Sequence, residues 1–168
     1  MTESTDCAFA RLDETIDAIS RKMPGSPREE IVLTRLHLHV QLQLSAWFET
    51  TLKPFSLNES TWMALLLIYS RPDERLGPSD ISAALSFSRT NATRVVDELE
   101  QHGLIRRQPS PQDRRKTELV LTPDGLELIT RAMPVQRQRL REAWQDFSTD
   151  ERALFEAMQR KLLARLAG

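Results

Sequence analysis

The chain has 168 residues, 40% hydrophobic and 28% charged, with a formal net charge of −1, which bounds it to one ordinary globular domain with a real core. Aromatic residues make up 6% and there are five glycines, which argues against a large β-sandwich or barrel. The single cysteine, Cys7, excludes an intrachain disulfide framework and a cysteine-based zinc site.

The opening residues MTESTDCAFA lack the basic start and apolar core of a signal peptide. No run approaches the ~18 consecutive apolar residues of a membrane span. A cytoplasmic protein without a membrane partner is therefore expected. Residues 1–25 are weakly patterned and end in MPGSP, so they are expected to form a flexible N-terminal segment. The remainder, 26–168, is expected to be a single domain. Ser26 reads as an N-cap, with Pro27 at N1 and Glu29 as its capping-box partner. The helix that follows runs to about Lys53, where Pro54 ends it. Its apolar positions include Ile31, Leu38, Leu42, Ala46 and Leu52, widened by Leu36, Val40, Leu44, Trp47 and Phe48. A helix apolar on more than one side is expected to be buried on more than one side.

Asn58 caps the next helix, through Trp62, Leu65, Leu66 and Tyr69, and RPDER breaks it. Gly77-Pro78-Ser79 opens a short helix with Ile81, Ala84 and Leu85 on its apolar face. A further helix starts at Ser88 and stops at Gly103, a C′ glycine. The period then changes: LIRRQ and KTELVLT alternate as strands around the polar tip PSPQDRR. Thr122-Pro123 caps a long helix toward Phe147, with Pro134 expected to kink it. Ser148 and Glu151 form a capping box for the last helix. A short helix, a turn, a second helix and a hairpin make a helix-turn-helix with a wing. The expected fold class is mainly α: a winged helix-turn-helix with a two-stranded β-hairpin wing and a helical dimerisation region. The DNA-binding lobe is placed at 58–122 and the dimerisation region at 26–53 and 123–168.

The helix after Ser88 has two unlike halves. Val95, Val96 and Leu99 give its second half an apolar face. Ser88, Arg89, Thr90, Asn91, Thr93 and Arg94 leave the first half without one. A recognition helix enters the DNA major groove by its N-terminal end, which must expose donors and acceptors to base edges. Arginine can bond two atoms of guanine, and asparagine two atoms of adenine. Arg94, one turn further in, suits a phosphate or the groove edge. In the hairpin tip, Asp113 is positioned to orient Arg115 by a charge-assisted bond, aiming it at the minor groove. Arg114 and Lys116 would then serve the flanking phosphates. Between Arg89 and Lys116 seven basic residues face four acidic ones, so the rest of the chain is net acidic. A basic patch on an acidic body steers a polyanion to one face.

The run SDISAALSFSRTNATRVVDELEQHGLIRRQPSPQDRRKTELVLTPDG resembles the winged-helix core of the MarR family of bacterial regulators. The most telling part is Asp113-x-Arg115 followed by the Leu-Thr-Pro-Asp-Gly entry to the next helix. The resemblance extends to EIVLTRL and NESTWMAL and covers roughly residues 28–166. It implies a homodimer on double-stranded DNA with a palindromic operator. It also implies repression of an efflux or stress-resistance operon, relieved by a small aromatic or amphipathic effector. In relatives the effector pocket is lined by the first, second and fifth helices, and Leu42, Ser45, Trp62 and Leu66 fall in the matching segments. Trp62 matches an aromatic position that borders bound salicylate in a related regulator, whose cationic residues are replaced here by Leu42 and Ser45. Arg35 and His39, spaced i, i+4, supply charge one or two turns earlier.

The dimer is also expected from the residues themselves. Trp144, Phe147, Phe155, Met158, Leu162 and Leu166 would be exposed in a monomer, and such a patch marks an interface. His37 and His39 point two ways on a helix, so no metal site is expected, and no cofactor. Two other functions fit the same elements: an activator or anti-silencer of the same fold, and a winged-helix protein-interaction module that does not bind DNA. The second would not need the Asp113–Arg115 pair or the bare polar helix front. An enzyme is not expected, because the chain has no Gly-rich phosphate loop, nucleophile elbow or zinc motif.

Overall fold

The computed structural model describes residues 3–72, 74, 76–110 and 117–168. It is mainly α-helical, with one two-stranded antiparallel sheet. The chain divides into two units, Met1–Thr50 and Thr51–Gly168.

The first unit holds helix α1 (Glu3–Lys22) and most of α2 (Arg28–Leu52). The segment expected to be flexible is thus largely helical. Leu12, Ile16 and Ile19 recur at helical spacing along it, and Ile16 is buried. Arg28 ties α2 to α1 by bonds to Asp17 at 2.5 Å and Asp13 at 3.4 Å. The Phe9 and His39 rings lie 5.9 Å apart, tilted by 51°. The expected boundary near residue 25 is therefore only a turn, and the division falls at Thr50 instead. The start of α2 also differs from expectation. The Ser26 hydroxyl donates to the Met23 carbonyl at 2.8 Å, closing that turn, and Ile31 N–H donates to the Pro27 carbonyl. Pro27 therefore precedes the helix rather than occupying N1. Leu33, Leu36, Leu38, Val40 and Leu42 are exposed, so burial on several sides is not achieved within one chain.

The second unit begins with the end of α2 and a 3₁₀ turn, Lys53–Phe55. Helix α3 (Glu59–Ser70) is capped by Asn58, whose Oδ1 accepts from Thr61 N–H at 3.0 Å while Thr61 Oγ1 accepts from Asn58 N–H. Helix α4 (Pro78–Ala84) starts where Gly77 N–H donates to the Asp80 carboxylate at 2.7 Å. The turn out of α4 places Ser86 at φ 55°, and the Ser82 hydroxyl holds it by donating to the Phe87 carbonyl. Helix α5 (Arg89–Gln101) follows. It ends at Gly103, φ +70°, with Leu104 N–H donating to the Leu99 carbonyl, as a left-handed C-cap requires.

Strands β1 (Ile105–Pro109) and β2 (Thr117–Leu121) pair antiparallel with Arg107 opposite Leu119. Leu119 N–H donates to the Leu76 carbonyl at 2.8 Å, which ties the segment before α4 to the sheet. Helix α6 (Pro123–Ala143) starts on a three-way clasp at Thr122. Its hydroxyl donates to the Gly103 carbonyl and accepts from Gly125 N–H, while its own N–H donates to the Leu104 carbonyl. Gly125 has to be glycine, because a Cβ there would lie 2.2 Å from the Leu104 oxygen. Helix α6 continues through Pro134 without a break. Helix α7 (Thr149–Leu166) carries the Ser148–Glu151 capping box.

The core of this unit gathers apolar residues from α3 to α6 and the sheet: Leu65 and Ile68 of α3, Ile81 of α4, Val95, Val96 and Leu99 of α5, Ile105 of β1, Leu119 of β2, and Ile129 of α6. This packing sets α5 against α3 and α4 by its C-terminal half.

Candidate nucleic-acid interface

The apolar residues of α5 recur at 95, 96 and 99, so one stripe of the helix is committed to the core. Ala92, also buried, is the only apolar residue the first two turns contribute to it. Arg89, Thr90, Thr93 and Arg94 are exposed and Asn91 is half-buried. Ser88 caps this end, its hydroxyl accepting from Asn91 N–H at 3.2 Å. The six residues predicted on this helix therefore share one end of it. That end also carries the unpaired backbone N–H groups and the positive end of the helix dipole.

The side chains at this end are ordered by bonds that the sequence does not announce. Thr93 Oγ1 donates to the Arg89 carbonyl at 3.0 Å. Arg94 donates to Glu98 at 3.0 Å and to Asn91 Oδ1 at 3.0 Å. Glu98 in turn accepts from Asn58 Nδ2, on the N-cap of α3, at 3.3 Å. Arg94 is thus engaged along its own helix rather than simply extended toward a phosphate. Among the described residues, the Arg89 guanidinium meets no acidic partner.

On β1, Arg107 bonds Glu100 and Asp97 of α5 through its guanidinium, each at 2.5 Å, and its N–H donates to Glu100 at 3.0 Å. Burial opposes its charge, but the bonds to Asp97 and Glu100 outweigh that and raise its pKa. The acidic residues of the second half of α5 hold Arg94 on their own helix, Arg107 on β1 and the Asn58 amide before α3, so the base of the wing is pinned to the helix. Their partners lie four to forty positions away in the sequence. The wing-tip residues Asp113, Arg114, Arg115 and Lys116 lie outside the described residues.

The candidate effector residues fall in both units. In the first, Arg35 and Leu42 are exposed, His39 is half-buried against Phe9, and Ser45 is half-buried. Among the described residues, Nε2 of His39 is enclosed without a hydrogen-bond partner. In the second, Trp62 is a core residue and Leu66 packs on the core's margin. Within the second unit an open cleft of about 870 Å³ lies elsewhere, between the end of α3, the sheet and the start of α6, lined by Tyr69, Leu76, Leu119 and Leu126 among others. Among the described residues no His, Cys, Asp and Glu cluster could hold a metal ion. No described helix is long and apolar enough to cross a membrane.

A helix-turn-helix backed by a two-stranded wing defines the winged-helix class. The MarR family model matches residues 57–117. The transcriptional repressor MprA of Escherichia coli strain K12 is 38% identical over 161 residues, spanning 96% of this chain and 92% of that protein. The crystal structure of AbsC, a MarR family transcriptional regulator from Streptomyces coelicolor, is similar with a TM-score of 0.76 at 25% identity, over 83% of this chain and 95% of that one. A mutant MarR from E. coli complexed with operator DNA gives 0.72 at 26% identity, over 80% and 96%. The chain belongs to the MarR family of DNA-binding transcriptional regulators. Its relatives by sequence and fold are regulators rather than enzymes.

Proposed function

We propose that the protein is a homodimeric repressor that binds a palindromic operator in double-stranded DNA and is released by a small aromatic or amphipathic ligand. The observation that carries the reading is the exposed polar front of α5. Six residues able to bond base edges or phosphates stand at the end of a helix whose other half is locked in the core. In this reading Arg89, Thr90, Asn91 and Thr93 face the major groove and Ser88 and Arg94 its edge. Asp113, Arg114, Arg115 and Lys116 form the second grip at the wing tip. Relatives that are a repressor and a DNA complex support it.

The homodimer is supported by α7. All of its described apolar residues are exposed, among them Leu154, Phe155, Met158, Leu162 and Leu166. A two-fold axis through such a helix pair would present two α5 helices to half-sites about 34 Å apart. Release follows as a population shift, in which ligand binds a conformer whose α5 spacing no longer matches the DNA. A hundredfold loss of affinity requires a coupling of ~2.7 kcal/mol. By the resemblance, the target is an efflux or stress-resistance operon.

The test is a mobility-shift titration on the DNA upstream of the protein's own gene, across a salt series and against an unrelated fragment. Selective binding with a steep salt slope is expected, followed by release within a panel of aromatic acids and uncouplers. Equal, weak binding to both fragments would sink the operator reading. Selective binding that no ligand of the panel relieves would remove the effector part alone.

A further inference from the structure

We propose that Glu98 is a positioning residue that decides what Asn91 offers to a base, acting through Arg94. The inference rests on the DNA-binding reading above and deepens it. Three hydrogen bonds form a chain from the α3 N-cap to the front of α5. Asn58 Nδ2 donates to one oxygen of Glu98 at 3.3 Å, and Arg94 donates to the other at 3.0 Å. The second arm of Arg94 donates to Asn91 Oδ1, also at 3.0 Å. Asn58 is itself fixed by its reciprocal cap with Thr61, which is fully buried. The origin of the chain is therefore rigid, and its far end is the half-buried Asn91.

The chemistry at that end is decided by which atom of the amide is engaged. Asparagine recognises adenine with both ends of its amide, the oxygen accepting from N6 and the nitrogen donating to N7. Here one lone pair of the oxygen already accepts from Arg94, whose guanidinium stands against that side of the amide, whereas Nδ2 keeps both of its N–H groups for a base. Among the described residues, no acceptor is bonded to it. A donor matches guanine, which shows two adjacent acceptors, O6 and N7, in the major groove. The arrangement thus favours guanine, which offers Nδ2 two acceptors, over adenine, which offers it one, at the base pair that Asn91 reads. It also holds back a cation: while Arg94 is bonded to Glu98, its charge is partly neutralised and less available to a phosphate.

Removing the carboxylate should therefore have effects of opposite sign. In Glu98→Ala, Arg94 is released, the Asn91 amide is free to turn, and one cation becomes available to any DNA. Discrimination of guanine from adenine at one position per half-site should fall about tenfold. Binding to unrelated DNA should strengthen, with the salt slope steeper by about one. A merely structural role would instead weaken both kinds of binding together.

The experiment measures affinities of the purified full chain for a panel of operator fragments, each base pair substituted in turn, and for an unrelated fragment. It compares the native protein, Glu98→Ala, Asn91→Ala and the double variant, with folding checked by circular dichroism. The inference expects that Asn91→Ala abolishes a guanine preference at one position, that Glu98→Ala relaxes the same position alone, and that the double variant loses no more there than Asn91→Ala does. If Glu98→Ala does not fold, Glu98→Gln, which keeps the volume and removes the charge, is put through the same panel. An unchanged preference at the Asn91 position, an adenine preference in the native protein, or a uniform loss over all fragments would overturn it. Native protein that cannot tell its operator from unrelated DNA would overturn the function reading, and this inference with it.

Discussion

Helices α5 and α7 both present surface to solvent, for opposite reasons. The front of α5 is polar, and its back half is sealed by Val95, Val96 and Leu99, all at 0% exposure. α7 has no buried residue, yet its exposed surface includes Leu154 at 57%, Met158 at 58% and Leu166 at 74%. A polar end on a rigid helix is stable in water and waits for a polar partner. An apolar stripe in water is not, and one along an 18-residue helix calls for an apolar partner. In the proposed reading the two helices separate recognition from assembly, and each can be broken without the other.

The sharpest break is Leu99→Ala. It opens a cavity behind the recognition helix and should cost about 2–5 kcal/mol, read as a lower urea midpoint with DNA binding lost at 37 °C. Leu162→Ala, the matched truncation on α7, should leave the cooperative unfolding of the lobe far less affected at low protein concentration. Equal losses would erase the distinction between the two helices.

Next in size is the pair Phe155→Glu and Leu162→Glu in one chain. Sedimentation should show a folded monomer where the native chain is a dimer, and operator affinity should fall at least tenfold as the second half-site is lost. A double variant that stays dimeric would move the interface away from α7.

Arg89→Ala should lower operator affinity by about tenfold, in keeping with one lost base or phosphate contact, while the thermal midpoint stays within a degree or two. A fall in stability without a fall in selectivity would make Arg89 a scaffold residue. Arg115→Ala, at the wing tip, should weaken binding while leaving the dimer intact; unchanged affinity would remove the wing from the interface.

The smallest effect concerns pH. The Glu151 carboxyl is held below the ordinary glutamate range, first by the Ser148 N–H and then by the Ser148 side chain, with slight desolvation opposing them. A folded pKa below the unfolded one contributes stability above the usual carboxylate range and loses it as pH falls through the depressed value. Glu151→Gln should therefore be less stable than the native chain near neutrality and should approach it in acid. Melts that differ equally at every pH would show that the capping charge contributes nothing.

Much of the lobe was legible because its signals are local. Asn58, Ser88, Thr122 and Ser148 each bond a backbone group three residues on, and Gly103 takes a positive φ that glycine tolerates best. A residue type at a fixed offset is enough to read such features. The polar front of α5 was legible in the same way, by the absence of apolar residues at helical spacing. Helix α1 was not. Its apolar residues are sparse, and its contacts, Asp17 to Arg28 and Phe9 to His39, come from the next helix. Ser26 misled because its hydroxyl bonds backward to Met23 instead of forward into α2.

By itself, then, the sequence determined the order of elements from α3 onward, their caps, the winged-helix class and which end of α5 is polar, since each depends on neighbours within a turn or on a repeating period. Only the tertiary structure decided that Glu98 joins Asn58 to Arg94, that Arg107 pins the wing to Asp97 and Glu100, and that Gly125 lies against Leu104. Those partners stand from four to forty positions apart, and a long side chain finds its partner by where the packed core places the backbone. Composition records that the charges exist; the fold of α3, α5 and β1 around one apolar cluster selects which of them meet.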